Sequence, residues 1–305
     1  MSCHSLKPNK FLKNLGNETI SVNVGVGDSR QAFTVHKAIL QQCTTYFESN
    51  KLFDTMAGQQ GLIFLNEEDP KVFKLFVDWA YNGTVQKPRT KIHVKKAPSY
   101  AEIYRLESEL LEEFNGTLKT LVSLYSLGER WGIHNLMNRA IDAIQDGYLE
   151  YGTVFGPGLA AKIWEETKQD SALREFCIAS TVMHLDRGCT KLRQEVMMNC
   201  IVLPGYFQGM LKWLSRNFQL LGRRSEEVVD KWTSDESFSM FHRSKLCTCH
   251  FHVHPTGQAH KGHKSCEAPF VDCSHPGDDE KMEELNIFNL VLGRAMMGCN
   301  LSDSE

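Results

Sequence analysis

The sequence predicts an α+β fold, in which a small sheet with clustered helices is followed by a helical extension and a short Cys/His-rich metal-binding tail. Three observations carry this prediction. Strand-like alternation of apolar residues is confined to the first 65 residues, and helical periodicity dominates from there to residue 240. The segment from His242 to His275 then holds four cysteines and seven histidines. Because neither strands nor helices can bury an apolar face alone, they are expected to pack in layers.

The composition is typical of a soluble intracellular protein. Of the 305 residues, 42 % are hydrophobic and 23 % are charged, and the net charge is −3, which argues against disorder and against chain-wide nucleic-acid binding. Residues Met1–Gly16 lack the apolar core of a secretory signal, and no apolar run reaches the ~20 residues of a membrane span. We therefore expect a cytoplasmic and/or nuclear protein without a membrane partner, whose ten cysteines are thiols or metal ligands.

The first predicted element is a β-hairpin. Ile20, Val22, Val24 and Val26 alternate with polar or glycine residues, which is typical of a half-buried strand. The turn residues Gly27-Asp28-Ser29 follow, and alternation then resumes for a second strand.

Short helices come next. One is predicted from His36, and either Thr44 or Thr45 could cap another. Leu62-Ile63-Phe64-Leu65 is a compact apolar run that favours a buried strand.

The signals for the following helix are the clearest in the chain. Asp69 is the expected N-cap, Pro70 occupies the first helical position and Gly83 stands just beyond the end. Further helices are predicted after Thr117 and after His134.

These elements appear in the order of a known family. The motifs are Phe33-Thr34-Val35-His36-Lys37-Ala38-Ile39-Leu40, then Tyr46-Phe47, Leu65 to Asp69-Pro70-x-Val72-Phe73, Trp79-Ala80-Tyr81-x-Gly83, Leu124-Tyr125-x-Leu127-Gly128 and Trp131-Gly132-Ile133. Together they resemble the BTB (POZ) domain over residues 18–147. The most similar variant is the fungal type, in which a helical region and a short Cys/His tail follow a BTB-like sheet with clustered helices.

The predicted organisation has four parts. They are a BTB-like domain at 17–147 with an insertion at 87–116, a helical extension at 148–240, a Cys/His-rich zinc segment at 241–277, and an acidic patch with an amphipathic C-terminal helix at 278–305. The last helix would carry Leu285, Phe288, Val291 and Leu292 on its apolar face.

The insertion joins a basic run, Lys87 to Lys96, to an acidic, helix-like stretch, Glu102 to Glu113. We interpret them as two solvated loop segments that attract each other weakly, since an exposed ion pair contributes about 0–1 kcal/mol. The alternative is a nuclear-import or phosphate-contacting patch.

The Cys/His-rich segment predicts a metal site. Thiolate and imidazole ligands together favour Zn²⁺, which accepts four such ligands tetrahedrally. In an extended chain Cys249 and His252 would point to opposite faces, so a site that uses both needs a turn near Phe251. The resemblance to the fungal BTB tail implies a structural site made by four ligands, with Cys247 and His263 in reserve. The four are Cys249, His252, His254 and Cys266.

Two other interpretations of this segment stay open. It could be an unstructured His-rich tail with incidental metal affinity. It could also hold a catalytic zinc, with three histidines, an open fourth position and Glu267 or Asp272 as the base. The spacing does not fit a C₂H₂ DNA-binding finger, and Cys177, Cys189 and Cys200 are interpreted as buried thiols.

The functional prediction is a non-enzymatic protein–protein interaction module or adaptor without a small-molecule substrate. No nucleophile elbow, P-loop or metalloprotease motif occurs in the sequence. The resemblance implies a second BTB chain (a homodimer or homo-oligomeric scaffold) or a cullin-type ubiquitin-ligase scaffold as partner. Leu52-Phe53-Asp54 is the nearest match to the hydrophobic-x-Glu signature of cullin-binding members. The alternatives are a nuclear regulator that contacts nucleic acid through the basic insertion and the Cys/His tail, and a zinc hydrolase.

Overall fold

The valine-rich segment forms the central strand of a three-stranded sheet within the part of the chain that the structure describes. That structure, a computed structural model, describes residues 15–91, 99–151, 157–184, 190–222 and 251–253. Strand β1 (Thr19–Val24) pairs antiparallel with β2 (Gln31–His36), so that Ile20 faces Val35. Strand β3 (Leu62–Leu65) joins the other side of β1 in parallel, giving the order β2-β1-β3. The predicted hairpin is confirmed.

The helices follow in chain order. They are α1 (Lys37–Cys43), α2 (Tyr46–Ser49), α3 (Met56–Gln59), α4 (Pro70–Asn82), α5 (Tyr100–Trp131), α6 (His134–Tyr151), α7 (Pro157–Glu166), α8 (Ala172–His184), α9 (Thr190–Val202) and α10 (Tyr206–Gly222). A short 3₁₀ turn, Gly27–Ser29, lies within the hairpin. The small sheet and predominant helices confirm the predicted α+β class.

The described chain divides into two units. The first unit comprises Met1–Gln86 and Thr120–Ala143, and the second comprises Lys87–Lys119 and Ile144–Glu305. None of the helices in the described ranges combines the length and apolar character that a membrane span requires.

Helix α4 has the predicted boundaries. The Asp69 carboxylate accepts a hydrogen bond from the Lys71 backbone N–H at 2.7 Å, and Pro70 occupies the first turn. At the other end Gly83 has a φ of 71°, a left-handed conformation that glycine adopts without steric cost. One apolar face of α4 is buried, including Phe73 and Phe76.

Of the two candidate caps for α2, the described side-chain contact belongs to Thr44. Its Oγ1 accepts the Tyr46 backbone N–H at 3.0 Å and donates to the Trp131 carbonyl at 2.8 Å. The Thr45 side chain makes no cap hydrogen bond. One hydroxyl therefore both begins a helix and fastens it to the end of α5.

The acidic stretch has the helical structure that its pattern resembles, and its interpretation as a solvated loop segment was wrong. Helix α5 begins at Tyr100 and continues to Trp131, so no separate helix starts after Thr117. Ser99 and Glu102 form a capping box: the Ser99 N–H donates to the Glu102 carboxylate at 3.1 Å, and the Glu102 N–H donates to the Ser99 hydroxyl at 3.3 Å. The capping box was not recognised in the sequence because it lies between a basic and an acidic run that were interpreted as solvated loops.

The second unit combines apolar packing with buried polar contacts. Phe176 of α8 and Trp213 of α10 are buried. Beside them the Tyr206 hydroxyl lies 2.7 Å from the Thr181 hydroxyl, and both side chains are almost completely buried. The close approach of α8 and α10 depends on Gly209, where a Cβ atom would lie 2.4 Å from the Ile178 Cδ1.

Candidate protein-interaction surface

The candidate interaction surface in the first unit is the segment between α2 and α3, residues 50–55, which we call the docking loop. It contains the Leu52-Phe53-Asp54 motif identified in the sequence. The Leu52 backbone N–H donates to the Phe47 carbonyl at 2.9 Å, and the Asp54 N–H donates to the Lys51 carbonyl at 3.0 Å. These bonds hold the loop as a tight turn against the end of α2.

Thr55 closes the docking loop and begins the next helix. Its hydroxyl donates to the Leu52 carbonyl at 3.0 Å and accepts the Gly58 N–H at 2.9 Å. A Cβ atom at Gly58 would lie 2.1 Å from the Leu52 carbonyl oxygen, a distance that no side chain tolerates. Glycine is therefore required at residue 58 for the loop to fold back on α3.

The loop's central side chain, Phe53, is fixed from both sides. Its ring stacks on Phe47 at a centroid distance of 5.9 Å and an interplanar angle of 29°. The Lys37 ammonium lies 5.4 Å from the Phe53 ring centroid and 2.8 Å from a Glu18 carboxylate oxygen. Contacts of this kind between a cation and a ring contribute about 0.5–1 kcal/mol at exposed sites. Phe53 is consequently a half-buried anchor, not a free surface side chain.

The outer side of the loop carries the groups that a partner can reach. Asp54 is exposed, and Met56 at the start of α3 is 82 % exposed, the largest exposure among the described large apolar side chains. A flexible thioether next to a carboxylate is a typical adaptable contact surface for another protein. Sequence reasoning had found Asp54 but missed Met56, because a single exposed methionine has no periodic pattern.

An aromatic cluster supports the loop from inside. Trp131 is buried at the end of α5 and stacks on Tyr46 at 4.7 Å. It also meets Phe47 edge-on at 5.3 Å and Phe76 at 5.2 Å. Phe47 thus connects the core tryptophan to Phe53, so that the position of the loop depends directly on the packed core.

An ion pair joins the start of α4 to the end of α5 beside this cluster. Arg130 donates to a Glu68 carboxylate oxygen at 2.6 Å and to the Ser126 hydroxyl at 2.8 Å. Burial raises the pKa of Glu68, and the neighbouring Arg130 only partly opposes that rise. Burial also raises the pKa of Tyr46, with the nearby Glu68 charge acting in the same direction.

The basic insertion, a candidate nucleic-acid contact, is partly engaged within the second unit. The Arg89 guanidinium donates to a Glu113 carboxylate oxygen at 2.7 Å, and both side chains are about half exposed. The predicted attraction between the basic and acidic stretches is therefore present at this pair. Because Arg89 already has a carboxylate partner, the insertion has less free charge for a phosphate.

Of the four predicted metal ligands, His252 alone falls within the described residues, where it is half-buried. Cys249, His254 and Cys266 lie outside the described residues, as do the reserves Cys247 and His263. Phe251, which directly precedes His252, is buried and packs edge-on against Phe176 of α8 at a centroid distance of 5.0 Å. In the described ranges no group of three or more His, Cys, Asp and Glu side chains could hold a metal ion.

The described cysteines outside that segment are free, and the prediction of a buried thiol is confirmed for Cys177, whereas Cys200 is only half-buried. Burial raises the pKa of Cys43 to about 12 and also raises the pKa of Cys177, which is completely buried. Cys200 is half-buried, and burial raises its pKa as well. Since the thiolate is the form that attacks electrophiles and binds metals, a raised pKa disfavours both reactions at these three residues. Cys189 lies outside the described residues.

Comparison with known families agrees with the resemblance seen in the motifs. Residues 12–146 match the BTB/POZ domain family. No similar sequence was found among the curated proteins. Residues 12–146, less than half of the chain, are therefore similar to BTB/POZ domains, a class of protein–protein interaction module that suggests protein partners or self-association.

Proposed function

We propose that this chain is a non-enzymatic adaptor of the fungal BTB type, acting in the cytoplasm or nucleus, whose docking loop binds a cullin-type ubiquitin-ligase scaffold. The observation that carries the proposal is the exposure of Asp54 in the docking loop and of Met56 directly after it, beside a loop that the aromatic core holds in position. A rigid loop binds without a large cost in conformational entropy. A homo-oligomeric scaffold, in which the loop meets a second copy, is the competing form of the same proposal.

The Leu52-Phe53-Asp54 motif fits an interaction that needs one apolar anchor and one acid. The Phe53 ring packs on Phe47, and the Asp54 N–H bonds the Lys51 carbonyl. The backbone that carries the short Asp54 side chain is therefore held in place. Aspartate is one methylene shorter than the glutamate of the family signature, which predicts a weaker or differently angled contact with a basic partner. Met56 lies close enough in sequence to extend the apolar part of that contact.

Affinity measurement against the N-terminal domain of a cullin tests the proposal. Full-length chain, immobilised, is expected to bind the cullin domain, and Asp54→Lys together with Met56→Asp is expected to weaken binding by at least tenfold. Glu67→Lys is the matched control, because it reverses an exposed carboxylate elsewhere in the first unit and should leave binding unchanged.

Sedimentation equilibrium on the same proteins separates the two forms of the proposal. A dimer that dissociates in the Asp54→Lys, Met56→Asp variant, without cullin binding, would replace the ligase adaptor by the homo-oligomeric scaffold. A monomer that binds no cullin would contradict both.

We propose further that the Cys/His-rich segment binds one structural Zn²⁺ through Cys249, His252, His254 and Cys266. The support is the ligand chemistry of the sequence together with the position of His252 directly after Phe251, a residue that packs on α8. A bound metal would order a polar segment that has too few apolar residues for its own core.

Metal quantitation and X-ray absorption on the full chain test the zinc site. We expect one zinc per chain, with four sulfur and nitrogen ligands at about 2.0–2.3 Å. Cys249→Ser with Cys266→Ser should lose the metal, whereas Cys299→Ser should keep it. A metal-free chain, or a zinc with a bound water in place of one protein ligand, would contradict a structural site.

A further inference from the structure

The end of the second unit exposes a group of apolar side chains that we call the hairpin patch. Its members lie on α9 and α10 and are each between 47 % and 70 % exposed. They are Met197, Met198, Ile201, Val202, Phe207 and Leu211. Single exposed apolar residues are normal, but six within fifteen positions of two consecutive helices mark a binding surface.

The patch lies on the outer faces of both helices. Met198, Ile201 and Val202 have the i, i+3, i+4 spacing of one helical face, and Phe207 and Leu211 have the i, i+4 spacing of another. Other side chains of α9, α10 and the turn between them are instead buried, namely Val196, Asn199, Leu203, Tyr206, Met210 and Trp213. The connecting turn is fixed by a hydrogen bond from the Trp164 indole to the Pro204 carbonyl at 3.0 Å. The patch is thus a firm surface and not a frayed end.

Charge around the patch indicates an acidic occupant. The stretch Thr190–Gly222 contains four basic residues and one acidic residue, a net charge of +3. Three of the basic residues, Arg193, Lys212 and Arg216, are exposed. An apolar surface with a positive surround fits a segment that has large apolar side chains and flanking carboxylates.

The chain itself contains such a segment at its C-terminal end. Residues 278–305 hold seven acidic and two basic residues, a net charge of −5, and they include the apolar run from Leu285 to Leu292. Asp278-Asp279-Glu280 and Glu283-Glu284 stand immediately before that run. Both the apolar content and the sign of the charge complement the hairpin patch.

The path of the chain brings that segment within reach. Phe251 packs on Phe176 of α8, and α8 packs closely on α10 at Ile178 and Gly209. Residue 253 therefore lies on the second unit, and the 32 residues from Val253 to Leu285 can extend ~100 Å at ~3.3 Å per residue. Because the segment is joined to the second unit through the chain, its binding there would be intramolecular and favoured by a raised effective concentration.

We infer that residues 285–292 of the same chain bind the hairpin patch and cover it. The apolar side chains of the run would replace water over Ile201, Val202 and Phe207, and the preceding carboxylates would lie near Lys212 and Arg216. The inference is independent of the cullin partner and of the zinc site.

Photo-crosslinking in the full-length protein tests the inference. A benzoylphenylalanine introduced at Phe288 is expected to form its main cross-link with peptides from Thr190–Gly222. The sample is an equal mixture of ¹⁴N- and ¹⁵N-labelled chains, so that cross-links within one chain carry a single isotope. Cross-links that mix the isotopes would show a second copy as the occupant and overturn the inference, as would cross-links confined to other regions or their absence.

Paired variants of the patch give the second readout. Ile201→Ser with Phe207→Ser removes two exposed apolar contacts and is expected to lower the cross-link yield about tenfold, while Gln208→Ser, an exposed neighbour on α10, should not change it. Lys212→Glu with Arg216→Glu should lower the yield several-fold at low salt and less at high salt. Circular dichroism on each variant checks the helix content. A yield unchanged in both paired variants would overturn the inference.

Discussion

The two units of the chain are stabilised in different ways. In the first unit the side chains that pack on Trp131 are aromatic, the buried Thr44 hydroxyl bonds the Trp131 carbonyl, and the Glu68–Arg130 ion pair lies at the margin. In the second unit polar groups are inside: Tyr206 and Thr181 share a hydrogen bond among α8 and α10, and Cys177 lies beside them. An aromatic core tolerates a wide choice of neighbours, whereas a buried hydrogen bond requires its specific partner.

This difference bears on function. The docking loop of the first unit depends on packing, since Phe53 contacts Phe47 and Phe47 contacts Trp131. The hairpin patch of the second unit depends on α9 and α10, whose inward faces include Asn199 and Tyr206. Substitution of a residue in the aromatic cluster should therefore affect the docking loop. Loss of the buried Tyr206 hydroxyl should affect the hairpin patch.

The largest effect is expected from Trp131→Ala. Removal of a buried indole that contacts four rings should lower the free energy of unfolding of the first unit by about 3–5 kcal/mol. Urea denaturation followed by circular dichroism measures it. Met56→Ala, at a side chain that is 82 % exposed in the same unit, is the control and should change stability by no more than about 0.5 kcal/mol. If Trp131→Ala lowers the free energy of unfolding by less than about 1 kcal/mol, the aromatic cluster is not what stabilises the first unit.

The next effect is expected from Gly58→Ala. The new Cβ would lie 2.1 Å from the Leu52 carbonyl oxygen and 2.8 Å from that of Phe53, and backbone atoms cannot move aside cheaply. We expect a loss of about 2–3 kcal/mol in the free energy of unfolding. Gly116→Ala is the matched control, because its Cβ would meet nothing within 4 Å and should stabilise the helix by about 0.5–1 kcal/mol. Equal effects of both substitutions would contradict the close approach at the docking loop.

A smaller effect, confined to the second unit, is expected from Tyr206→Phe. The change deletes one hydroxyl, leaving its partner Thr181 buried with one bond fewer, at a cost of about 1–1.5 kcal/mol. Thermal or urea unfolding measures it, and Tyr100→Phe at an exposed ring is the control. If the loss is no greater than for Tyr100→Phe, the buried hydrogen bond does not distinguish the second unit.

The smallest effect concerns pH and Glu68→Gln. Because burial raises the pKa of Glu68 in the folded chain above its ordinary value, the folded state binds the proton more tightly than the unfolded state. The contribution of this carboxyl to stability is present below its unfolded pKa and is lost as pH rises through the folded pKa. The stability of the parent chain relative to Glu68→Gln should therefore fall as pH rises from 4 to 7, measured by urea unfolding at each pH. Glu67→Gln serves as the exposed control, and a difference that rises with pH would contradict the sign.

The ends of helices were predictable where the residue types at those positions are specific for starting or ending a helix. Asp69-Pro70 and Gly83 marked the ends of α4 correctly, because a cap, a proline without an N–H and a left-handed glycine act within a single turn. The start of α5 was not predicted. Its Ser99–Glu102 capping box stands between a basic and an acidic run, and charge was interpreted as a loop.

The candidate site was predictable only in part. The Leu52-Phe53-Asp54 motif was visible in the sequence, but the contacts that fix it join residues distant along the chain, including Lys37 over the Phe53 ring. The requirement for glycine at residue 58 likewise arises from the approach of two backbone segments. The choice of the four metal ligands remains a prediction that the resemblance to the fungal BTB tail implies.

The amino-acid sequence by itself determined the BTB elements, the turn and cap positions, and the concentration of Cys and His residues, because each of these depends on neighbours within a few residues. Only the tertiary structure decided that β3 lies parallel to β1, that Trp131 connects α2 to α4, and which apolar side chains of α9 and α10 remain exposed. The physical reason is range: hydrogen bonds within a turn are encoded locally, whereas burial depends on which distant segment covers a given face.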